Sequence, residues 1–170
     1  EVEIGVPSGL TVTAAGDIYY TQGVSTMFQG ISKLSDGIIT KIAGKRSFEE
    51  FTDGNGNIAA FTCPKAIQHK GEYNYIADAS NGALRRVNAA GTVITLAGVG
   101  RNMTNTYSDG HLPPIEGSYR LPISFTTPDV FQISARTIRM DQVAGISIPE
   151  EGLIYISDHG YKCIWKITIR

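Results

Sequence analysis

The sequence predicts an all-β chain built from repeated four-stranded antiparallel units. Three observations predict it. Short apolar segments alternate with a period of two and are bounded by Gly, Asp, Asn and Ser, the pattern of strands joined by tight turns. One phrase occurs twice: Tyr75-Ile76-Ala77-Asp78, a polar turn and Leu84-Arg85-Arg86-Val87 return as Tyr155-Ile156-Ser157-Asp158, a turn and Ile164-Trp165-Lys166-Ile167. Gly supplies 19 of 170 residues, Tyr 8 and Phe 6, a bias toward turns and strands over helices.

The first round opens near Pro7. Leu10 and Val12 alternate along a first strand, Ala15-Gly16-Asp17 supplies a turn, and Ile18, Tyr19 and Tyr20 complete a hairpin. After a polar excursion from Gly23 to Gly30, Ile31-Ser32-Lys33-Leu34 reads as a third strand, Ser35-Asp36-Gly37 as a turn and Ile38 to Gly44 as a fourth strand. The loop Asp53-Gly54-Asn55-Gly56-Asn57 and the segment Phe61-Thr62-Cys63-Pro64 lead into the second round. That round comprises Ala66 to His69, a turn at Gly71, Tyr75 to Asp78, Leu84 to Val87, a turn at Ala90-Gly91 and Thr92 to Gly98. Ile42-Ala43-Gly44 recurs 54 residues later as Leu96-Ala97-Gly98, Asp53-Gly54 recurs 56 later as Asp109-Gly110, and Phe61-x-x-Pro64 recurs 58 later as Tyr119-x-x-Pro122. Offsets this uniform define a repeat. Residues 123–142 match nothing and read as an insertion holding one extra strand or a short helix near Val130 to Ile138. The pattern resumes at Ala144, runs through Leu153 to Asp158 and stops after Cys163 to Ile167, with no fourth strand. One unit over residues 1–170 is therefore expected, with rounds at about 7–62, 64–120 and 143–170.

Rounds of this form, Gly-hydrophobic-x-hydrophobic, Ile-Tyr-Ile-x-Asp, Ile-x-Lys-hydrophobic, Thr-Leu-Ala-Gly, then Asp-Gly and Phe-x-x-Pro, resemble NHL repeats, the blades of a β-propeller. The resemblance covers nearly all of the chain except 123–142, and is weakest in the first round, where Gln22 stands in place of Asp. It implies radially arranged four-stranded blades, commonly six to a ring, and no single activity, because the fold carries protein-binding, RNA-binding and enzymatic members. Three blades cannot close a ring, and an unclosed ring leaves sheet edges ready to pair. The expectation is closure to six blades by a second copy, by another chain carrying half a propeller, or by further blades of a longer chain of which these 170 residues are a piece. In the first case Glu1-Val2-Glu3-Ile4 would be lent as an outer strand to the partner's third blade.

Charge narrows the partners. Lys+Arg 15 against Asp+Glu 16 leaves a formal charge of -1 with no block of five or more like charges, so there is no electrostatic footprint for nucleic acid or an anionic bilayer. No apolar run reaches the roughly 18 residues that span a membrane, and the first residues lack the pattern of a signal peptide. Two cysteines, Cys63 and Cys163, are expected as buried thiols, with a single disulfide as the alternative. Asn102-Met103-Thr104 is a sequon for N-glycosylation, which tilts the expected compartment outside the cell.

Candidate chemistry is sparse. Asp78 and Asp158 end equivalent strands before polar turns, where a carboxylate accepts backbone N–H groups and fixes the turn without any ligand. His69, His111 and His159 are the candidate metal ligands, but they occupy three different repeat positions. Asp53-Gly-Asn55-Gly-Asn57 begins like a calcium loop, yet Pro64 stands where its bidentate Glu would be, so it reads as a linker. Arg85, Arg86, Lys162 and Lys166 read as solvated strand faces, and Trp165, in register with Arg85, as facing a blade surface or an interface. Candidate interface residues are Val2, Ile4, Trp165 and Ile167 at the blade ends, and Phe28 and Phe131 in the unmatched loops. No cofactor is expected. The sequence favours a non-enzymatic interaction or structural module, with a metal-dependent lyase or hydrolase in the channel of a completed ring as the alternative.

Overall fold

Alternating side chains and Gly-bearing turns dictate hairpins, and hairpins are what the chain forms. A computed structural model describes residues 6–23, 28–46, 50–100 and 140–169. The first sheet contains β1 (Pro7–Val12), β2 (Ile18–Gln22), β3 (Gln29–Ser35) and β4 (Ile38–Lys45), each antiparallel to the next. At Asp36-Gly37 both residues have positive φ, 49° and 77°, and Ser35 pairs with Ile38, the geometry of a two-residue hairpin whose twist matches its strands. β3 starts two residues before Ile31, because Gln29 and Gly30 of the expected polar excursion pair with Lys45 and Gly44.

The second sheet follows the same plan. β6 (Pro64–Lys70), β7 (Tyr73–Asp78), β8 (Ala83–Asn88) and β9 (Thr92–Ala97) lie in order, and β5 (Gly54–Asn55) adds a fifth strand beyond β9. The loop after Asp53 is thus more than a linker: it docks on the outer edge of the following sheet before a 3-10 turn at Gly56–Ile58. The third sheet has β10 (Val143–Glu150), β11 (Leu153–Asp158) and β12 (Cys163–Thr168). Among the described residues there is no α-helix. The expected element near Val130 to Ile138, together with Asp109-Gly110, Tyr119-x-x-Pro122, Val2, Ile4, Asn102, His111 and Phe131, lies outside the described residues.

The sheets stack face to face. Tyr19, Ile31 and Ala43 of the first sheet pack on Phe61, Ile67, Ile76, Val87 and Val93. The opposite face of the second sheet, with Tyr75, Ala77, Leu84 and Ala97, packs on Val143, Ile154, Ile156, Trp165 and Ile167. Fully burying each large apolar side chain contributes about 1.5–3 kcal/mol, so these two layers are where the stability lies. The first strands lie side by side, β1 against β6 and β6 against β10. Gly9 permits that approach, since a Cβ there would stand 2.3 Å from the carbonyl oxygen of Lys65.

Pairing registers make the sheets superimposable residue by residue. Gln22 pairs with Gly30, Asp78 with Ala83 and Asp158 with Cys163. Two positions further into the third strand stand Ser32, Arg85 and Trp165. On the first strands, Thr11, Gln68 and Ser147 lie opposite Tyr19, Tyr75 and Tyr155.

Candidate functional site

The superposition places the residues singled out in the sequence at one recurring polar position. In each sheet an acceptor ends the second strand and a donor reaches it from the third. Ser32 Oγ donates to Gln22 Oε1 at 2.8 Å, Arg85 Nη1 to Asp78 Oδ2 at 2.8 Å and Trp165 Nε1 to Asp158 Oδ2 at 2.9 Å. Geometry is retained while the chemistry changes from neutral to ionic.

Asp78 is completely buried and surrounded by donors. The Thr62 N–H reaches Oδ1 at 2.8 Å, and Asn81 Nδ2 reaches Oδ2 at 2.9 Å beside Arg85. Thr62 belongs to the segment entering the second sheet, so Asp78 ties that segment to the β7–β8 turn, and Asn81 Nδ2 and Thr62 Oγ1 both donate to the carbonyl of Glu50. Asp158 accepts the Asp141 N–H from the equivalent entering segment and the Tyr161 N–H from its own turn, each at 2.9 Å. Burial pushes Asp78 up to about 6, against the opposing pull of Arg85, Asn81 and Thr62. Burial also raises Asp158, opposed by Tyr161, Trp165 and Asp141 N–H groups. With their oxygens turned to internal donors, these buried carboxylates hold strand ends together.

Arg85 corrects the expectation of a solvated strand face: its side chain is 0% exposed. Nη1 also donates to Ala60 O (3.1 Å), and Nη2 donates to Thr52 O (2.8 Å) and Asp53 Oδ1 (3.0 Å). The guanidinium lies over the Phe51 and Phe61 rings at 4.7 and 4.9 Å. Asp53 in turn accepts the N–H and hydroxyl of Thr95 on β9. The carboxylate that opens the calcium-like sequence is therefore engaged in anchoring the loop. Arg85 could have been suspected from sequence only by noticing that its register equivalent is a Trp.

The structure does not bring His69 and His159 together. His69 is the penultimate residue of β6, next to the β6–β7 turn, stacked on Tyr19 (6.0 Å between centroids) with Nδ1 3.1 Å from Asn74 Oδ1. His159 is exposed in the β11–β12 turn, at the opposite end of the strands. Among the described residues no three His, Cys, Asp or Glu side chains group as a metal site. Cys63 is a half-buried thiol and Cys163 a buried one, with no disulfide between them. Trp165 and Ile167, read from sequence as interface candidates, are buried against the second sheet, while Phe28 is half-buried with Lys41 Nζ 4.8 Å above its ring.

What remains open is a surface. On the face of the first sheet turned away from the second, Leu10 is 65% and Val12 55% exposed, with Ile18, Leu34 and Ile39 half-buried beside them. The third sheet ends the stack at its other side with Ile164, 50% exposed, next to Ser157, Tyr155 and Lys166. Apolar residues cluster on the first of these faces much as they do between the sheets.

No protein-family model matches the chain, and no curated protein matches it. Solved structures do. A structural genomics protein of unknown function from Bacteroides thetaiotaomicron aligns over 95% of this chain and 34% of its own, at 17% identity and TM-score 0.66. An auxiliary nutrient binding protein from the same organism aligns over 93% and 36%, at 18% identity and TM-score 0.58. A virginiamycin B lyase from Staphylococcus aureus aligns over 95% and 38%, at 17% identity and TM-score 0.51. These neighbours are β-propeller-like proteins, and the antiparallel sheets of this chain share their fold. The likeness is one of fold alone, and the chain spans about a third of the length of the structures it matches.

Proposed function

We propose that the chain is a non-enzymatic, NHL-type propeller unit of three blades that works as a protein-interaction or structural assembly module. The observation that supports this is the open face of the first sheet, where Leu10 and Val12 present apolar surface at positions that hold buried or half-buried residues in the other two sheets. Contiguous exposed apolar surface of this kind marks an interaction site. Blade edges and the two stretches that read from sequence as insertions, 23–30 and 123–142, supply the rest of the contact surface, and a further set of blades completes the ring.

Elemental analysis of the gel-filtered chain, combined with ester hydrolysis before and after chelation, tests the reading. The expected result is metal well below one ion per chain and no chelator-sensitive turnover. A stoichiometric metal whose removal abolishes turnover, with the same loss in His69→Ala or His159→Ala, overturns it in favour of a metal-dependent enzyme.

A further inference from the structure

The two internal joints between sheets share one hydrogen bond between equivalent positions. Thr11 Oγ1 on β1 accepts the N–H of His69 on β6 at 3.1 Å, and Gln68 Oε1, the register equivalent of Thr11, accepts the N–H of Ile148 on β10 at 2.9 Å. His69 and Ile148 are themselves equivalent, each one residue beyond Gln68 and Ser147. A second contact reinforces the first joint: Thr21 Oγ1 accepts the N–H of Gly9 at 3.0 Å and donates to the carbonyl of Lys65 at 3.3 Å. Beside these bonds, Tyr19 stacks on His69.

Both halves of the same joint are exposed at the two ends of the stack. On the third sheet, exposed Ser147 holds the place of Thr11 and Gln68, and Ser157 that of Thr21, with its Oγ already accepting the Gly145 N–H at 2.8 Å as Thr21 does from Gly9. Gly145 repeats the close-approach position of Gly9, and among the described residues an added Cβ there would meet only Ser157 within 4 Å. Tyr155 and Ile164 take the places of Tyr19 and Ile31, which in the first joint bury against the second sheet. On the first sheet, Val12 stands where His69 and Ile148 offer their N–H groups, Ser8 where Lys65 offers its carbonyl, and Leu10 where Ile67 fills the joint.

We infer that the open face of the first sheet receives the outer face of the third sheet of a second copy of this chain, Ser147 accepting from Val12 N–H and Ser157 donating to the Ser8 carbonyl. The inference rests on the assembly reading above and names its partner. The occupant is another copy because both halves of the joint, polar pattern and apolar filling alike, stand on this chain, and two such joints related by a two-fold axis close a ring. The joint is directional: each contact needs the first sheet of one copy and the third sheet of the other.

That direction provides the test. Leu10→Glu and Ile164→Glu change exposed residues on opposite faces, so each variant should keep the wild-type circular dichroism spectrum. Light scattering after gel filtration at about 100 µM, above the micromolar end of the range for standard interfaces, should give wild type at twice 18.3 kDa and each variant alone at 18.3 kDa. An equimolar mixture of the two variants should recover the paired mass, because one intact joint forms between the unaltered third sheet of Leu10→Glu and the unaltered first sheet of Ile164→Glu. Three results overturn the inference: a monomeric wild type, a mixture that stays monomeric, or an Ile164→Glu variant that still pairs, which would mean that first sheets meet each other. None of them touches the metal and turnover measurements, so the two readings fail separately.

Discussion

Replacing Arg85 by Met keeps most of the side chain's volume and removes its charge, which isolates what the buried guanidinium does. Four hydrogen bonds disappear, to Ala60 O, Asp78 Oδ2, Thr52 O and Asp53 Oδ1. They are unequal. The Asp53 side chain is 46% exposed, so water replaces its partner and that arm contributes about 0–1 kcal/mol. Asp78 has no access to water and keeps only Thr62 N–H and Asn81 Nδ2; removing one partner of a buried pair costs about 3–5 kcal/mol. The lost ring contacts are partly replaced by the methionine sulfur against Phe51 and Phe61. Arg85 Nε, which has no acceptor among the described residues, takes a buried unpaired donor away with it. The Asp78 arm therefore decides the outcome, at about 3–5 kcal/mol of destabilisation in guanidinium unfolding at pH 7 followed by far-ultraviolet circular dichroism. The double variant Asp78→Asn with Arg85→Met should be more stable than Arg85→Met alone, because no charge is then stranded. A loss below about 1 kcal/mol for Arg85→Met, or a double variant less stable than the single, would refute the reasoning.

Two more outcomes follow from the same buried position. The folded-state pKa of Asp78, about 6, lies above its ordinary 3.8, so the folded chain binds the extra proton between these values and stability from this group is greatest below pH 4. It should decline by about 3 kcal/mol as pH rises through 6. The stability of wild type relative to Asp78→Asn should fall by most of that amount, about 2 kcal/mol, between pH 4 and 7, and a pH-independent difference would contradict the assignment. Trp165→Phe preserves an aromatic ring packed against the second sheet but deprives Asp158 of its indole donor; a loss of about 1–3 kcal/mol is expected in thermal or denaturant unfolding.

Much of the fold was legible because hairpins are encoded locally. Asp36-Gly37 shows why: only residues tolerant of positive φ close a two-residue turn whose twist suits its strands, and the dipeptide is visible without any structure. The recurrence of Tyr75 to Val87 at Tyr155 to Ile167 located two more hairpins, with strand bounds accurate to a residue or two. Gly54–Asn55 reads from sequence as a linker because two residues carry no periodicity; their strand exists because Thr92 and Val93 offer an edge.

Arg85 marks the deeper limit. In the run Leu84-Arg85-Arg86-Val87 alternate residues point to opposite faces, and a charge in a strand ordinarily means that its face is wet. Both faces of the second sheet are covered by neighbouring sheets, so that rule had no wet face on which to act. His69 was open to a metal reading for a related cause, since its stacking on Tyr19 joins residues 50 positions apart in the chain.

The sequence by itself determined where strands begin, how they turn and that they repeat, since backbone preference and period-two patterning act within a few residues. Only the tertiary structure decided that Asp78 meets Arg85 without solvent, and that Thr11 and Gln68 bond the next first strand. Those outcomes depend on which face of one sheet lies against which face of another, a relation between segments tens of residues apart that is settled by packing rather than by local preference.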